Sequence, residues 1–380
     1  MKVLHIINSL KKGGAEGNLY RLCDFQKKKY KDNIDITIIT LIDNGFYEPL
    51  LKKIGVKIFS LKISRKNKIF DFFKKIRLFR SLVKNKKPNI IQSWMYHSNF
   101  FSLFIPNKGK SKIYWNIRHS ELNFKISKKM TIFISLLCGL FSKIVPDKII
   151  YCSEKSINFH VKKHFYSKNK TILINNGYSK KFFFNSNILR IKFRKKYKIQ
   201  KTDIVLGYAG RYAKQKNIES LLTAFSLIKK KYQNIYLFLV GKNMNKKNQK
   251  LTNIVNEQKI TDKIFFLDEQ KNLIKFYNGI DLLLLVSHSE SFPNVIAESM
   301  LCSTPVFSSE AGCASKIIGN SGFIIKKNDY LTIAHSLKKT LKFLKNKKKW
   351  NDLKINAQKK IQLNYSIEKM SDKYFESWIY

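Results

Sequence analysis

The chain has 380 residues, 44% of them hydrophobic, with 74 Lys+Arg against 25 Asp+Glu and a formal net charge of +49. That is long enough for two domains with sizeable cores and ordinary in composition for a globular protein. Five scattered cysteines without a CxxC pair exclude a disulfide framework and a zinc site, and fit a reducing cytosol.

The lysines run through the whole chain alongside Asn, Ile and Phe, as a compositional habit would place them. A solvated surface, an anionic membrane surface and nucleic acid are the three readings of such charge. No helix-turn-helix, RRM, zinc-finger or KH signature is present, so an anionic membrane surface ranks above nucleic acid, which is not expected, and a solvated surface stays open beside it. Val3–Ile7 follows Met1 directly, which predicts no leader peptide. The longest uncharged apolar run, Met130 to Ser142, is too short to span a bilayer and reads as a buried or interfacial helix. That run and the basic amphipathic segment Ile69–Lys87 suit either a membrane surface or the flank of a sheet.

In chain order, short apolar strands fall at Val3–Ile7, Ile34–Leu41, Lys57–Leu61, Ile90–Gln92, Ile113–Ile117, Ile149–Cys152 and Thr171–Ile174. Helical patterns lie between them, at Ala15–Lys29 and at Ile69–Val83, where apolar residues recur with helical period. A charged stretch, Asn185 to Lys201, separates this half from a second. There strands at 204–208, 235–240, 264–267, 281–286 and 323–325 alternate with helices at 218–230, 251–258 and 273–278. Such alternation predicts α/β architecture with doubly wound, mostly parallel sheets. The end, Tyr365 to Trp378, is one amphipathic helical pattern.

The segment DLLLLVSHSESFPNVIAESMLCSTPVFSS carries the most information. A buried strand leads into a polar turn holding Glu290. Pro293 stands where a helix can begin, since its missing N–H costs nothing there. Glu298 lies about a turn and a half into that helix. The helix N-terminus opens toward phosphate and the carboxylates can accept sugar hydroxyls, a combination that describes a nucleotide sugar. Earlier, Gly210-Arg211 ends a strand and Lys216 follows, two cations suited to a diphosphate. Gly13 and Gly14 follow the first strand and open a helix, with Glu16 in position to cap it.

These motifs resemble the retaining glycosyltransferases of family 4: the E-x7-E segment with Phe292, Pro293, Asn294 and Val295, the GR…K run, and GGAE. QSWMYH and WNIRHS resemble the corresponding runs of bacterial O-antigen and capsule glycosyltransferases in that family. The resemblance implies a GT-B fold, two Rossmann-like domains facing a cleft. Residues 1–190 would form the acceptor-side domain and 191–362 the nucleotide-sugar domain, with 363–380 a helix returning to the first. It implies His119 and Glu290 as catalytic residues. Gly13, Gly14, Arg211, Lys216, Phe292–Val295 and Glu298 would bind the donor. Trp94, Tyr96, His97, Asn116 and Arg118 would line the acceptor side. The implied enzyme works from the cytoplasmic face without a metal or other cofactor, and moves a sugar, UDP-linked by preference, to a lipid-linked glycan. Ser291 and Ser303 stand where the family has glycine. A nucleotide-sugar epimerase on the same fold, or a basic nucleic-acid-binding protein, are the alternatives.

Overall fold

The computed structural model of the chain describes residues 1–42, 45–64, 69–106, 111–122 and 128–379. The chain divides into two compact units, Met1–Gly177 with Ile367–Tyr380, and Tyr178–Ser366. In the first, the order is β1 (Lys2–Ile7), α1 (Gly14–Tyr30), β2 (Asp35–Thr40), α2 (Glu48–Lys53), β3 (Lys57–Ser60), α3 (Ile69–Lys86), β4 (Ile90–Trp94), α4 (Met95–Phe101), β5 (Lys112–Ile117), α5 (Lys129–Phe141), β6 (Lys148–Tyr151), α6 (Glu154–Lys163) and β7 (Thr171–Leu173). These strands form a parallel sheet ordered β3-β2-β1-β4-β5-β6-β7. Because side chains alternate across a strand, β1 feeds two cores. Leu4 and Ile6 join Phe79, Trp115 and Ile132 on one face. Val3 and Ile7 join Leu19, Leu22, Tyr374 and Trp378 on the other. Both faces are covered, which is why the strands read as unbroken apolar runs.

The second unit runs α7 (Asn187–Lys196), β8 (Ile204–Ala209), α8 (Ile218–Lys229), β9 (Ile235–Val240), α9 (Gln249–Glu257), β10 (Ile264–Asp268), α10 (Ile274–Gly279), β11 (Leu282–Leu285), α11 (Asn294–Leu301), β12 (Val306–Ser309), α12 (Ala314–Ile318), β13 (Phe323–Ile325), α13 (Tyr330–Leu344) and α14 (Lys347–Asn364). Its parallel sheet is ordered β10-β9-β8-β11-β12-β13. The last helix, α15 (Ile367–Ile379), belongs to the first unit, where it buries Tyr374 and Trp378. In each sheet the strand order reverses beside the first strand, between β1 and β4 and between β8 and β11. Open α/β sheets bind ligands at the carboxyl ends of such a pair.

One expectation is corrected. The charged stretch taken as a separator is α7, capped by the Ser186 hydroxyl. Its arginines are held by Asp281 at the start of β11: Arg190 Nη2 lies 2.5 Å from Oδ1 and Arg194 Nη2 3.5 Å from Oδ2. The expected boundary at 190/191 therefore falls inside a helix of the second unit, and the division comes at Gly177/Tyr178. A run of like charges reads as a linker until its partner, distant in sequence, is in place.

Candidate functional site

In the second unit the motif residues meet at the carboxyl edge beside β8 and β11. Lys216, in the 3-10 turn after β8, forms an ion pair with Glu290 Oε1 in the turn after β11. Their side chains are only 15% and 13% exposed. The Ser287 hydroxyl donates to the same carboxylate oxygen at 2.7 Å. The two turns are joined directly, the His288 N–H donating to the Gln215 carbonyl at 2.9 Å. Arg211 stands exposed just past the end of β8, its charge felt by the buried Tyr208 hydroxyl. The arrangement is a largely buried carboxylate neutralised by one cation, with a second, exposed cation nearby.

The Glu290 turn is clasped from behind. Cys313 donates its N–H and its thiol to the Ser291 carbonyl, at 3.2 and 3.1 Å. Gly312 makes the clasp possible: its φ is +64°, and a Cβ there would come 2.3 Å from the Glu290 carbonyl oxygen. Pro293 caps α11, whose first residue, Asn294, accepts a hydrogen bond from the Tyr178 hydroxyl. Phe292 is buried and stacks on Tyr178 with centroids 6.4 Å apart, and Val295 is half-buried on the first turn. The Tyr277 hydroxyl donates to Glu298 Oε2 at 2.8 Å. Burial and the Glu298 carboxylate push the Tyr277 phenol well above its ordinary pKa, so it stays a donor.

The two departures from the family's glycines differ physically. Ser291 keeps a negative φ and costs the backbone nothing. Ser303 has φ +58°, in the left-handed region, where a serine is strained.

In the first unit Gly13 precedes α1, and a Cβ on it would lie 2.2 Å from Glu16 Oε2. The Glu16 carboxylate thus folds back over the turn between Gly13 and Gly14. Burial raises its pKa, which its own backbone N–H partly opposes. His97 lies in the first turn of α4, after Met95 takes φ +71° to turn the chain sharply out of β4. Burial, then Lys128, lowers the His97 pKa. His119 is exposed just past β5. Ser156 Oγ donates to its carbonyl, and its ring lies 5.7 Å from that of Tyr96.

The remaining acceptor-side residues are buried in the first unit: Trp94, Tyr96, Asn116 and Arg118 are 0%, 1%, 0% and 9% exposed. Arg118 donates from Nε to Asn116 Oδ1 at 2.7 Å, and its other nitrogens reach Asn176 and the Tyr374 hydroxyl. Its guanidinium sits 5.3 Å over the Trp94 ring, which stacks on Tyr374. The Tyr96 hydroxyl pairs with His160 Nε2 at 2.7 Å, while His160 Nδ1 donates to the Ser156 carbonyl. Aromatic rings at strand ends suit a sugar or a packed helix equally in sequence, and here α15 covers them.

Residues 190–360 match the family model of glycosyl transferases group 1. The second unit carries a group 1 glycosyltransferase domain. Over 237 residues the chain is 25% identical to the capsular polysaccharide biosynthesis glycosyltransferase CapM of Staphylococcus aureus, with 58% of this chain and 59% of CapM covered. It is 24% identical over 201 residues to the N-acetyl-alpha-D-glucosaminyl L-malate synthase of Bacillus anthracis, with 52% and 51% covered. The chain thus spans a little over half the length of these curated relatives. Likeness of fold extends further. HepE of Anabaena, solved in complex with UDP and glucose, superposes with a TM-score of 0.83 over 99% of both chains at 17% identity. The two Rossmann-like units are those of the GT-B fold. Within the group 1 domain, two residues escaped the sequence reading. Ser287 was readable, three positions before Glu290. Tyr277, on a different element from Glu298, left no signal.

Proposed function

We propose that the chain is a retaining, family 4 glycosyltransferase that moves a sugar from a UDP-linked donor to a lipid-linked glycan of a bacterial surface polysaccharide, at the cytoplasmic face of a membrane. The observation that carries this reading is the Lys216–Glu290 pair beside the open Arg211, inside the group 1 domain. A nucleoside diphosphate leaves as an anion, and preorganised cations lower that barrier. Arg211 and Lys216 would hold the diphosphate, which is why no metal is assigned to the reaction. Glu290 would bind donor-sugar hydroxyls and support positive charge at the reacting carbon, while Glu298, set by Tyr277, would hold the ribose hydroxyls. In the first unit, Gly13 and Gly14 would let the backbone approach the donor, and His119 would contact the transferred sugar. Attack from the leaving-group face, with the departing phosphate taking the acceptor's proton, retains configuration without a protein nucleophile.

The UDP and glucose bound to HepE support a nucleotide-sugar donor, and the capsular role of CapM supports a polysaccharide acceptor. The test is transfer of labelled sugar from a panel of nucleotide sugars to lipid-linked acceptors, with and without chelator. No transfer from any UDP-sugar, or activity abolished by the chelator and restored by a divalent ion, would sink the reading. Conversion of the donor to its epimer without an acceptor would favour the epimerase.

A further inference from the structure

The sequence offers two segments for a membrane face, and their packing separates them. Helix α3 spends most of its apolar residues on the sheet. Phe79 and Val83 are buried, and Phe72 packs edge-on against Phe101 and Phe104. What it turns outward is chiefly basic: Lys74, Arg77, Arg80 and Lys84, set around Phe73 and Leu78.

Helix α5 is built the other way. Its inner face is Ile132, Ser135, Cys138 and Gly139, all buried. The approach there is so close that a Cβ on Gly139 would lie 1.6 Å from the His164 carbonyl oxygen. Its outer face is apolar and uncovered: Met130 is 63% exposed, Phe133 56%, Leu140 60% and Phe141 42%. Ile144, 76% exposed, continues the stripe into the next turn. At helical pitch these five positions fall within an arc of about 100°. The helix contains no acidic residue, and exposed Lys128, Lys129 and Lys143 stand at its two ends.

We infer that the outer face of α5 docks the first unit on an anionic lipid bilayer. The side chains of the stripe enter the boundary between headgroups and acyl chains, and the terminal lysines meet the headgroups. The helix lies in the interface and does not cross it. It has 13 residues where a span needs about 20. Among the described residues no helix is long and apolar enough to cross. A second copy of the chain is the poorer occupant, since it brings the same lysines and the same +49 charge to the contact. This surface deepens the membrane-face location of the proposed transferase, but it rests on exposure and charge, and vesicle binding reads it independently of sugar transfer.

The test is flotation of the full chain with vesicles of phosphatidylglycerol and phosphatidylcholine in equal parts, against phosphatidylcholine alone. Wild type should float with the first and stay behind with the second. Phe133→Ser with Leu140→Ser should weaken binding at least about tenfold, with the thermal melt kept. As a second readout, the indole of a Phe133→Trp variant should shift its fluorescence to the blue on the anionic vesicles. Equal flotation of wild type and the double variant, indifference to lipid charge, or an unshifted indole spectrum would overturn the proposal. So would a concentration-dependent dimer that the double variant dissolves in a chain that binds no vesicles.

Discussion

Lys216→Met removes the cation in contact with Glu290 while keeping most of the side chain's bulk. Two unit charges about 4 Å apart attract by about 4 kcal/mol at an effective dielectric of about 20. Both groups are more than four-fifths covered, so desolvation offsets much of that, and the net pair is modest. Removing one partner leaves the other covered and unneutralised, with the Ser287 hydroxyl still donating to it. The expected loss of stability is about 2 kcal/mol, between the values for exposed and for fully buried pairs. The expected loss of turnover is larger, about 10²–10³-fold in kcat, because the leaving diphosphate loses a preorganised donor. Urea unfolding with and without Glu290→Gln separates the two roles. When Glu290→Gln is already in place, the destabilisation by Lys216→Met should shrink below about 0.5 kcal/mol, since the charge it neutralised is gone. Turnover is read with a labelled UDP-sugar. A kcat within threefold of wild type, or a rise in KM alone, would refute a leaving-group role and leave Lys216 as a holder of Glu290.

Tyr277→Phe should weaken UDP binding about tenfold by calorimetry, because a hydrogen bond to a charged partner is lost at Glu298. An unchanged affinity would mean that Glu298 needs no such support. Ser303→Gly should raise urea stability by about 0.5–1 kcal/mol, as relief of left-handed strain exceeds the entropy glycine adds to the unfolded chain. Acid should unfold the protein early. Burial holds His5 and His160 neutral, each with a pKa lowered from 6.5 to about 3. The unfolded chain then binds protons the folded one refuses, so this stability is present above about pH 6.5 and is lost as pH falls toward 3. At pH 5 each histidine costs about 2 kcal/mol. Urea midpoints at pH 7 and 5 check it, and His160→Gln should flatten the fall.

The sequence carried the periodicities well because parallel strands buried on both faces have little freedom in composition. β1, β5, β8 and β11 all lie where apolar runs predicted them, and the glycines and charged residues after them could only fall at the sheets' carboxyl edges. Glu290, Lys216 and Arg211 were legible for that reason, as residues at strand ends in one half. The chain by itself therefore determined two Rossmann-like units, the order of their elements and the edge on which a ligand site forms.

What it left open depends on partners distant in sequence. Nothing local said that Arg190 and Arg194 would be held by Asp281, so α7 read as a linker. Whether Trp94 and Arg118 line an acceptor site or pack in the core could not be read locally, because Tyr374, which contacts both, comes more than 250 residues later. α3 and α5 were equivalent as amphipathic or apolar stretches until packing consumed most of the apolar face of one and left that of the other exposed. Periodicity fixes which residues share a face. Only the tertiary structure decides what, if anything, covers it.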